Sequence, residues 1–391
     1  MDVRAYRLWL LHALGCGSTK VRRILKYAGS IEEFYRGGEH AWVSMGIFTE
    51  RELCAMREFS ADDALFQIEY CERLGQKIYT PEHPEYPGPL RQIANPPGVL
   101  FVKGTLPDFD RMLSIAVVGS RKATKTGIDT ARRLGFDLAK AGAVVVSGGA
   151  IGVDIAAHEG TLEAGGVTVC LLACGINYPY LTQNASIRER IAKSGALVSE
   201  YPPDTGIERG NFEVRNRLIS GLSRGVAVVE AKEKSGSMIT VRYALDQGRD
   251  VFSVPGDLGN ANAAGTNALI QNGAKLITCA EDILEEYAFG RFEKAQAAAA
   301  EKAEAENAPG TVSAHETASA PGTASSQEDC SQDAAAILRL IGREPIHLSA
   351  LSAASGFSAA RTLSALTELE LSGKIVSCSG RRYILSDTVM I

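Results

Sequence analysis

Apolar residues recur three and four apart up to about residue 75, and from Ile78 the chain switches to short, solid apolar runs separated by amphipathic stretches. The first pattern predicts helices. Tyr6-Arg7-Leu8-Trp9-Leu10-Leu11 lies in one and Lys20-Val21-Arg22-Arg23-Ile24-Leu25 in the next, with Gly15-Cys16-Gly17-Ser18 as the corner between them. The second pattern predicts strands at 99–102, 114–118, 143–146, 167–172, 196–198, 226–229 and 251–254. Strands without alternation are buried on both faces, so this region, 76–290, reads as an α/β domain with a mostly parallel, doubly wound, Rossmann-like sheet.

Beyond it, residues 291–330 are rich in Ala, Glu, Ser, Thr and Pro and almost free of large apolar groups, which predicts a disordered tether. A core pattern returns over 331–391. Helices are expected at 334–341, 347–355 and 359–371, then two short strands around 375–378 and 383–385, the order of a winged helix. Its charge is close to balanced, Arg339, Arg343, Arg361, Lys374, Arg381 and Arg382 standing against Asp333, Glu344, Glu368, Glu370 and Asp387. A strong electrostatic grip on duplex DNA is not evident from that balance, and a protein contact is an equal reading.

Composition narrows the classes. With 45% hydrophobic and 22% charged residues the chain is an ordinary globular one, and a net charge of −5 excludes coating DNA by bulk charge. Any nucleic-acid site must be a local basic groove. The eight cysteines (16, 54, 71, 170, 174, 279, 330 and 378) include no C-x-x-C pair, which points to reduced thiols in a cytoplasmic protein and to no metal. The apolar stretch from Leu8 to Leu14 is too short for a signal peptide, contains His12 and runs on into basic helix. No run approaches the roughly 20 residues of a membrane span.

The chemistry sits at strand ends. The run 114–118 empties into Gly119-Ser120-Arg121 just before an amphipathic helix over 126–140, so backbone N–H groups and a guanidinium fork are offered to a phosphate. The next strand ends in Ser147-Gly148-Gly149-Ala150-Ile151-Gly152-Val153-Asp154. A dinucleotide fold would need an acidic residue after the following strand, but Ala173-Cys174-Gly175 stands there, which argues against NAD. Residues 119–126 nearly spell a Walker A loop, with Thr124 where its second glycine belongs and Val226–Glu230 in the style of a Walker B strand; the β-branched residue resists the backbone geometry that ATP needs. Asp154 and His158, four apart, read as turn-fixing and core-polar groups, since no nucleophile adjoins them. Further on come Arg209-Gly210-Asn211-Phe212, Arg215-Asn216-Arg217 and Lys232-Glu233-Lys234-Ser235-Gly236-Ser237 with Thr240 and Arg242. In a parallel sheet these loops gather at the carboxyl edge as a row of phosphate contacts, with Phe212 as a platform for a base. At the N-terminal corner, Lys20, Arg22 and Arg23 beside Gly15 and Gly17 fit a helix-hairpin-helix phosphate contact and a plain helical corner equally well.

Taken in order, Gly119-Ser120-Arg121, the Ser147–Asp154 loop with His158, Ser199-Glu200-Tyr201-Pro202, Phe212 with Arg215-Asn216-Arg217, Lys234-Ser235-Gly236-Ser237, Val254-Pro255-Gly256 and Gly265-Thr266-Asn267 resemble the DNA-processing protein A (DprA, or Smf) family, over about residues 80–285. The resemblance implies an extended Rossmann domain between a small helical helix-hairpin-helix or SAM-like domain (1–75) and a C-terminal winged helix. It implies a non-enzymatic, cofactor-free, homodimeric protein that binds single-stranded DNA, displaces single-strand-binding protein and loads RecA recombinase on incoming DNA in natural transformation. A Rossmann enzyme that binds or hydrolyses a nucleotide phosphate is the alternative. Positional carry-over gives Gly119, Ser120 and Arg121 to phosphate, Arg209 to the strand and Phe212 to a base, with dimerisation around 265–276; together with the strand-end loops read above, the expected DNA-binding residues also include Ser147, Gly148, Arg215, Asn216, Lys234, Ser235 and Gly236. Glu213 departs from the family's usual proline after the phenylalanine.

Overall fold

The computed structural model describes residues 2–287, 331–342, 346–357, 359–378 and 382–386. The tether expected over 291–330 lies outside the described residues. The chain forms two compact units, Met1–Asn307 and Ala308–Ile391.

The first unit opens with six helices, α1 (Val3–Leu14), α2 (Lys20–Ala28), α3 (Ile31–Arg36), α4 (Gly38–Ser44), α5 (Glu50–Glu58) and α6 (Ala61–Arg73). Their starts are written locally. Asp2 accepts from the Arg4 N–H, and the pairs Thr49/Glu52 and Ser60/Asp63 form capping boxes on α5 and α6. Trp9 and Trp42 are buried, and each indole N–H finds a carbonyl, Met56 at 3.1 Å and Phe34 at 3.0 Å.

The sheet follows: β1 (Gln76–Tyr79), α7 (Gly88–Arg91), β2 (Leu100–Gly104), β3 (Ser114–Val118), α8 (Lys125–Lys140), β4 (Val144–Ser147), α9 (Val153–Glu163), β5 (Thr168–Leu172), α10 (Ala185–Ser194), β6 (Ala196–Ser199), α11 (Arg209–Gly221), β7 (Gly225–Val228), α12 (Gly236–Asp246), β8 (Asp250–Ser253), α13 (Ala264–Gln271), β9 (Lys275–Leu276) and a helix over 281–287 (α14). Strand order is β1-β2-β6-β5-β4-β3-β7-β8-β9. From β6 to β9 every pairing is parallel, whereas β1 and β2 run antiparallel at one edge. The chain order reverses between β3 and β7, and the crevice beyond the carboxyl ends of those two strands is where such folds bind ligands.

Alternation within the buried strands divides the core. Ile115 and Val117 pack with Leu134, Leu138 and Val153 of α8 and α9, while Ala116 and Val118 pack with Leu218 and Ile219 of α11 and Val241 of α12. The six N-terminal helices share their core with Ile78, Val99, Phe101, Leu172 and Leu197 of the sheet region, so one hydrophobic cluster spans 1–75 and part of the sheet.

The second unit holds α15 (Gln332–Leu338), α16 (Leu348–Ser355), α17 (Ala359–Leu371) and an antiparallel sheet of β10 (Ile346–His347), β12 (Arg382–Leu385) and β11 (Ile375–Cys378), in that order. Its core is Ala334, Ile337, Ile341, Leu351, Leu366, Leu369, Ile375 and Tyr383. Arg361, the cation of the third helix, is held by Asp333 at 2.5 and 2.6 Å and lies over the Phe357 ring at 4.3 Å.

Candidate nucleic-acid interface

At the β3/β7 switch point the structure opens into a cleft of about 1340 Å³. Its basic lining is Arg121, Lys122, Arg209, Arg215, Lys232, Lys234 and Arg242, set against Asp154, Glu213 and Glu233. On a chain of net charge −5 this is a local positive field. Two helices start at the rim. The first turns of α11 and α12 line the cleft, and neither Glu208 nor Ser235 caps its helix with a side chain, so their first N–H groups are open to an anion. The Arg121 guanidinium sits over the Phe212 ring, 4.6 Å from its centroid, and Tyr180 meets that ring edge-on at 6.1 Å.

The N-terminus of α8, expected from the sequence to hold a phosphate, is filled from within. Thr124 caps the helix by accepting from the Gly127 N–H, and the buried Glu230 carboxylate accepts from the Thr124 N–H at 3.0 Å and its hydroxyl at 2.5 Å. A carboxylate thus takes the anion's place at the positive end of that helix. Gly119 and Ser120 are still at the cleft wall, but the Ser120 N–H donates to the Glu230 carbonyl at 2.7 Å, which leaves Arg121 as the outward-facing donor of the turn.

Of the other residues singled out from sequence, Arg209, Phe212, Asn216, Lys234, Ser235 and Gly236 line the cleft beside Gly119, Ser120 and Arg121. Ser147 does not. It is fully buried, and its hydroxyl donates to the Val117 carbonyl at 2.6 Å, tying two strand ends together. Gly148 lies under the floor, where a Cβ would meet the Arg215 guanidinium at 2.6 Å and the Asp154 carboxylate at 2.7 Å. Arg215 lines the cleft but is only 4% exposed, because Nη1 donates to the carbonyls of Gly148, at 2.7 Å, and Leu171. Burial lowers the pKa of Arg215 and raises that of Asp154, with each partner's charge opposing the shift. Asp154 also accepts from the Ala150 N–H at 3.4 Å.

His158 is a core residue. Thr168 donates its hydroxyl to the Val145 carbonyl, so the His158 Nδ1, 2.7 Å away, is the donor to Thr168. Burial, aided by the Arg215 charge, pushes its pKa down to about 3, which keeps the ring neutral. Sequence reasoning passed over two groups and saw a third, Glu230, only as the end of a Walker-B-like strand. Lys122 follows Arg121 at the strand end and was legible there; Tyr180 and Glu230 reach the site from loops and strand ends whose approach has no local signal.

At the N-terminal corner the Gly17 N–H, with φ +73°, points not to solvent but at the Glu200 carboxylate, 3.3 Å away. Glu200 also accepts twice from Arg217 Nη2, at 2.7 Å, and both side chains are buried. The corner glycine is therefore spent on holding the helices to the sheet, and Lys20 is paired with Glu52 at 2.5 Å.

Glu213 accepts from Arg242 at 3.0 Å, both being exposed. Glu213→Ala is expected to free Arg242 and to tighten binding of a polyanion by a few-fold at low salt, read by fluorescence anisotropy of a labelled oligothymidylate; unchanged affinity would show that Arg242 is no part of the path.

A doubly wound sheet with cations, open helix starts and an aromatic ring at its switch point defines a Rossmann-like protein with a basic cleft, in a chain that also carries a winged-helix unit. The chain belongs to the DNA recombination-mediator protein A family: the family model matches residues 77–288, and a DprA winged helix domain matches 318–381. It is 44% identical over 202 residues to the DNA processing protein DprA of Bacillus subtilis, covering 52% of this chain and 68% of that one. Against the DNA processing protein DprA of Streptococcus pneumoniae identity is 34% over 293 residues, 74% of this chain and 100% of the other. The X-ray structure of the latter organism's DNA processing protein A superimposes with a TM-score of 0.65 at 30% identity, covering 73% of this chain and 99% of that one.

Proposed function

We propose that the cleft binds single-stranded DNA without catalysis, its cations and helix starts taking successive phosphates and Phe212 taking a base. The observation that carries this reading is Arg121 over Phe212, a phosphate donor and a stacking platform brought to one point at the mouth of a basic cleft. The residues assigned to the strand are Gly119, Ser120, Arg121, Arg209, Phe212, Asn216, Lys234, Ser235 and Gly236, with Lys122, Lys232 and Arg242 added. Ser147, Gly148 and Arg215 support the floor beneath them. The Glu230 carboxylate on α8 argues against a nucleotide phosphate in the Walker position.

From family membership we extend the role to a cytoplasmic mediator that loads RecA on DNA entering during natural transformation while displacing single-strand-binding protein. It acts as a homodimer through residues 265–276, where α13 and the edge strand β9 present a half-exposed Leu276. Two copies would set two clefts on one strand and raise avidity. The domain limits 1–75, 76–290, 291–330 and 331–391 belong to the same reading.

The test is anisotropy of a labelled oligothymidylate across a salt series with excess ATP or NAD as competitor. Binding that weakens steeply with salt and resists both nucleotides is expected; displacement by either would return the cleft to a small-ligand enzyme.

A further inference from the structure

We infer that the outward faces of α2 and α6 are the two halves of a head-to-tail contact between copies of this chain, the basic face of one copy seating on the acidic, aromatic face of the next. α2 buries Ile24 and turns Arg22, Arg23, Lys26 and Tyr27 to solvent. Lys20 and Arg36 nearby are held by Glu52 and Glu32, whereas among the described residues no carboxylate pairs with Arg22, Arg23 or Lys26. α6 buries Ala64, Ile68 and Cys71, so Asp62, Phe66, Glu69 and Tyr70, spaced three and four apart, share its outward face. Phe66 is 70% exposed, and Asp62 and Glu69 beside it are unpaired among the described residues. Arg73, the cation at the end of this face, lies over the Tyr70 ring at 6.0 Å.

The α6 face selects the occupant. Its carboxylates repel a polyanion, and a large exposed ring in their midst calls for a cover that is both apolar and cationic. α2 offers that chemistry, three cations with Tyr27, 57% exposed, among them. Both faces are preformed: the Tyr27 and Ser44 hydroxyls are hydrogen-bonded at 3.2 Å, and the Tyr70 hydroxyl donates to Asp204 at 2.8 Å. Within one chain the two do not pair, α2 packing on α3 while α6 packs on α1 and β1. A second copy satisfies both faces at once, whereas DNA on α2 leaves Phe66 in water. Because the two faces differ, the contact is heterologous and leaves one free face of each kind for a further copy. Two short helices bury less than the roughly 1,200 Å² of a standard interface, so the contact is weak and reversible.

The inference is independent of the cleft reading and is tested without DNA. Sedimentation velocity of the full chain is followed over a protein concentration series, at low salt and at about 0.5 M salt. Two charge reversals are compared with it, one carrying Arg22→Glu, Arg23→Glu and Lys26→Glu on α2, the other Asp62→Lys and Glu69→Lys on α6. At low salt the wild type's weight-average sedimentation coefficient is expected to rise with concentration past that of a dimer, and at high salt to rise less. Either reversal alone should abolish this rise. Mixing the two variants should restore it, since each reversed face then meets its complement, a rescue that misfolded proteins cannot give. The proposed dimer surface, 265–276, holds none of these residues, so its contribution is common to every sample. A wild type that never passes the dimer overturns the inference, as does a rise that survives both reversals or fails to return on mixing. So does an α2 reversal that self-associates like wild type and loses oligothymidylate affinity by anisotropy, which gives that face to DNA.

Discussion

Arg121→Ala is expected to weaken oligothymidylate binding by about tenfold or more and to lower the log–log salt slope by roughly 0.7, with no change in melting temperature. The side chain is exposed at the end of β3 and has no carboxylate partner among the described residues, so the fold asks nothing of it. Its ring contact with Phe212 is its principal tie. Removing it subtracts a charge-assisted phosphate contact and also the group that orients the platform. Anisotropy across a salt series, with a thermal melt alongside, checks both halves. Wild-type affinity in the variant would move the strand off the β3 end altogether.

Arg215→Ala is expected to do the reverse, destabilising the protein by about 3–5 kcal/mol, the usual result of breaking a buried charged network. Its loss leaves Asp154 buried without its countercharge and two carbonyls, Gly148 and Leu171, without their donor. Differential scanning calorimetry should show a fall of roughly 10 °C or more in melting temperature. A variant that melts like wild type and loses only DNA affinity would make Arg215 a surface contact after all. The two arginines are thus separable by experiment although their sequence contexts look alike.

That likeness marks where the sequence stopped being informative. The solid apolar runs placed seven strands of the sheet because a strand buried on both faces has no polar residue to confuse the pattern, and 114–118 coincides with β3. Edge elements were harder. The two-residue β9 is too short for any period, and the antiparallel direction of β1 and β2 is settled by distant pairing rather than by composition. In the third helix of the winged unit the bounds match at 359–371, but the two-residue β10 was passed over for the same reason of length.

The site was legible as a list of residue types, and its geometry was not. Along α11 Arg215, Asn216 and Arg217 are all buried, so the helix lacks the polar face that would have flagged which cations look outward. The partner of the corner glycine, Glu200, lies 183 residues away. Glu230 could pass for the end of a Walker B strand because nothing local says that its carboxylate folds back onto Thr124.

On the proposed single-strand reading, the contact between Arg121 and Phe212 would set how the protein lets go as well as how it holds. The guanidinium already covers one face of the ring, so a base that stacked on that face would displace it from the ring while leaving it free to meet the phosphate, and would be replaced by it on departure. An exposed cation–π contact is weaker than base stacking, which makes the exchange favourable but shallow. On that reading, a grip built from such exchanges would release one nucleotide at a time under competition.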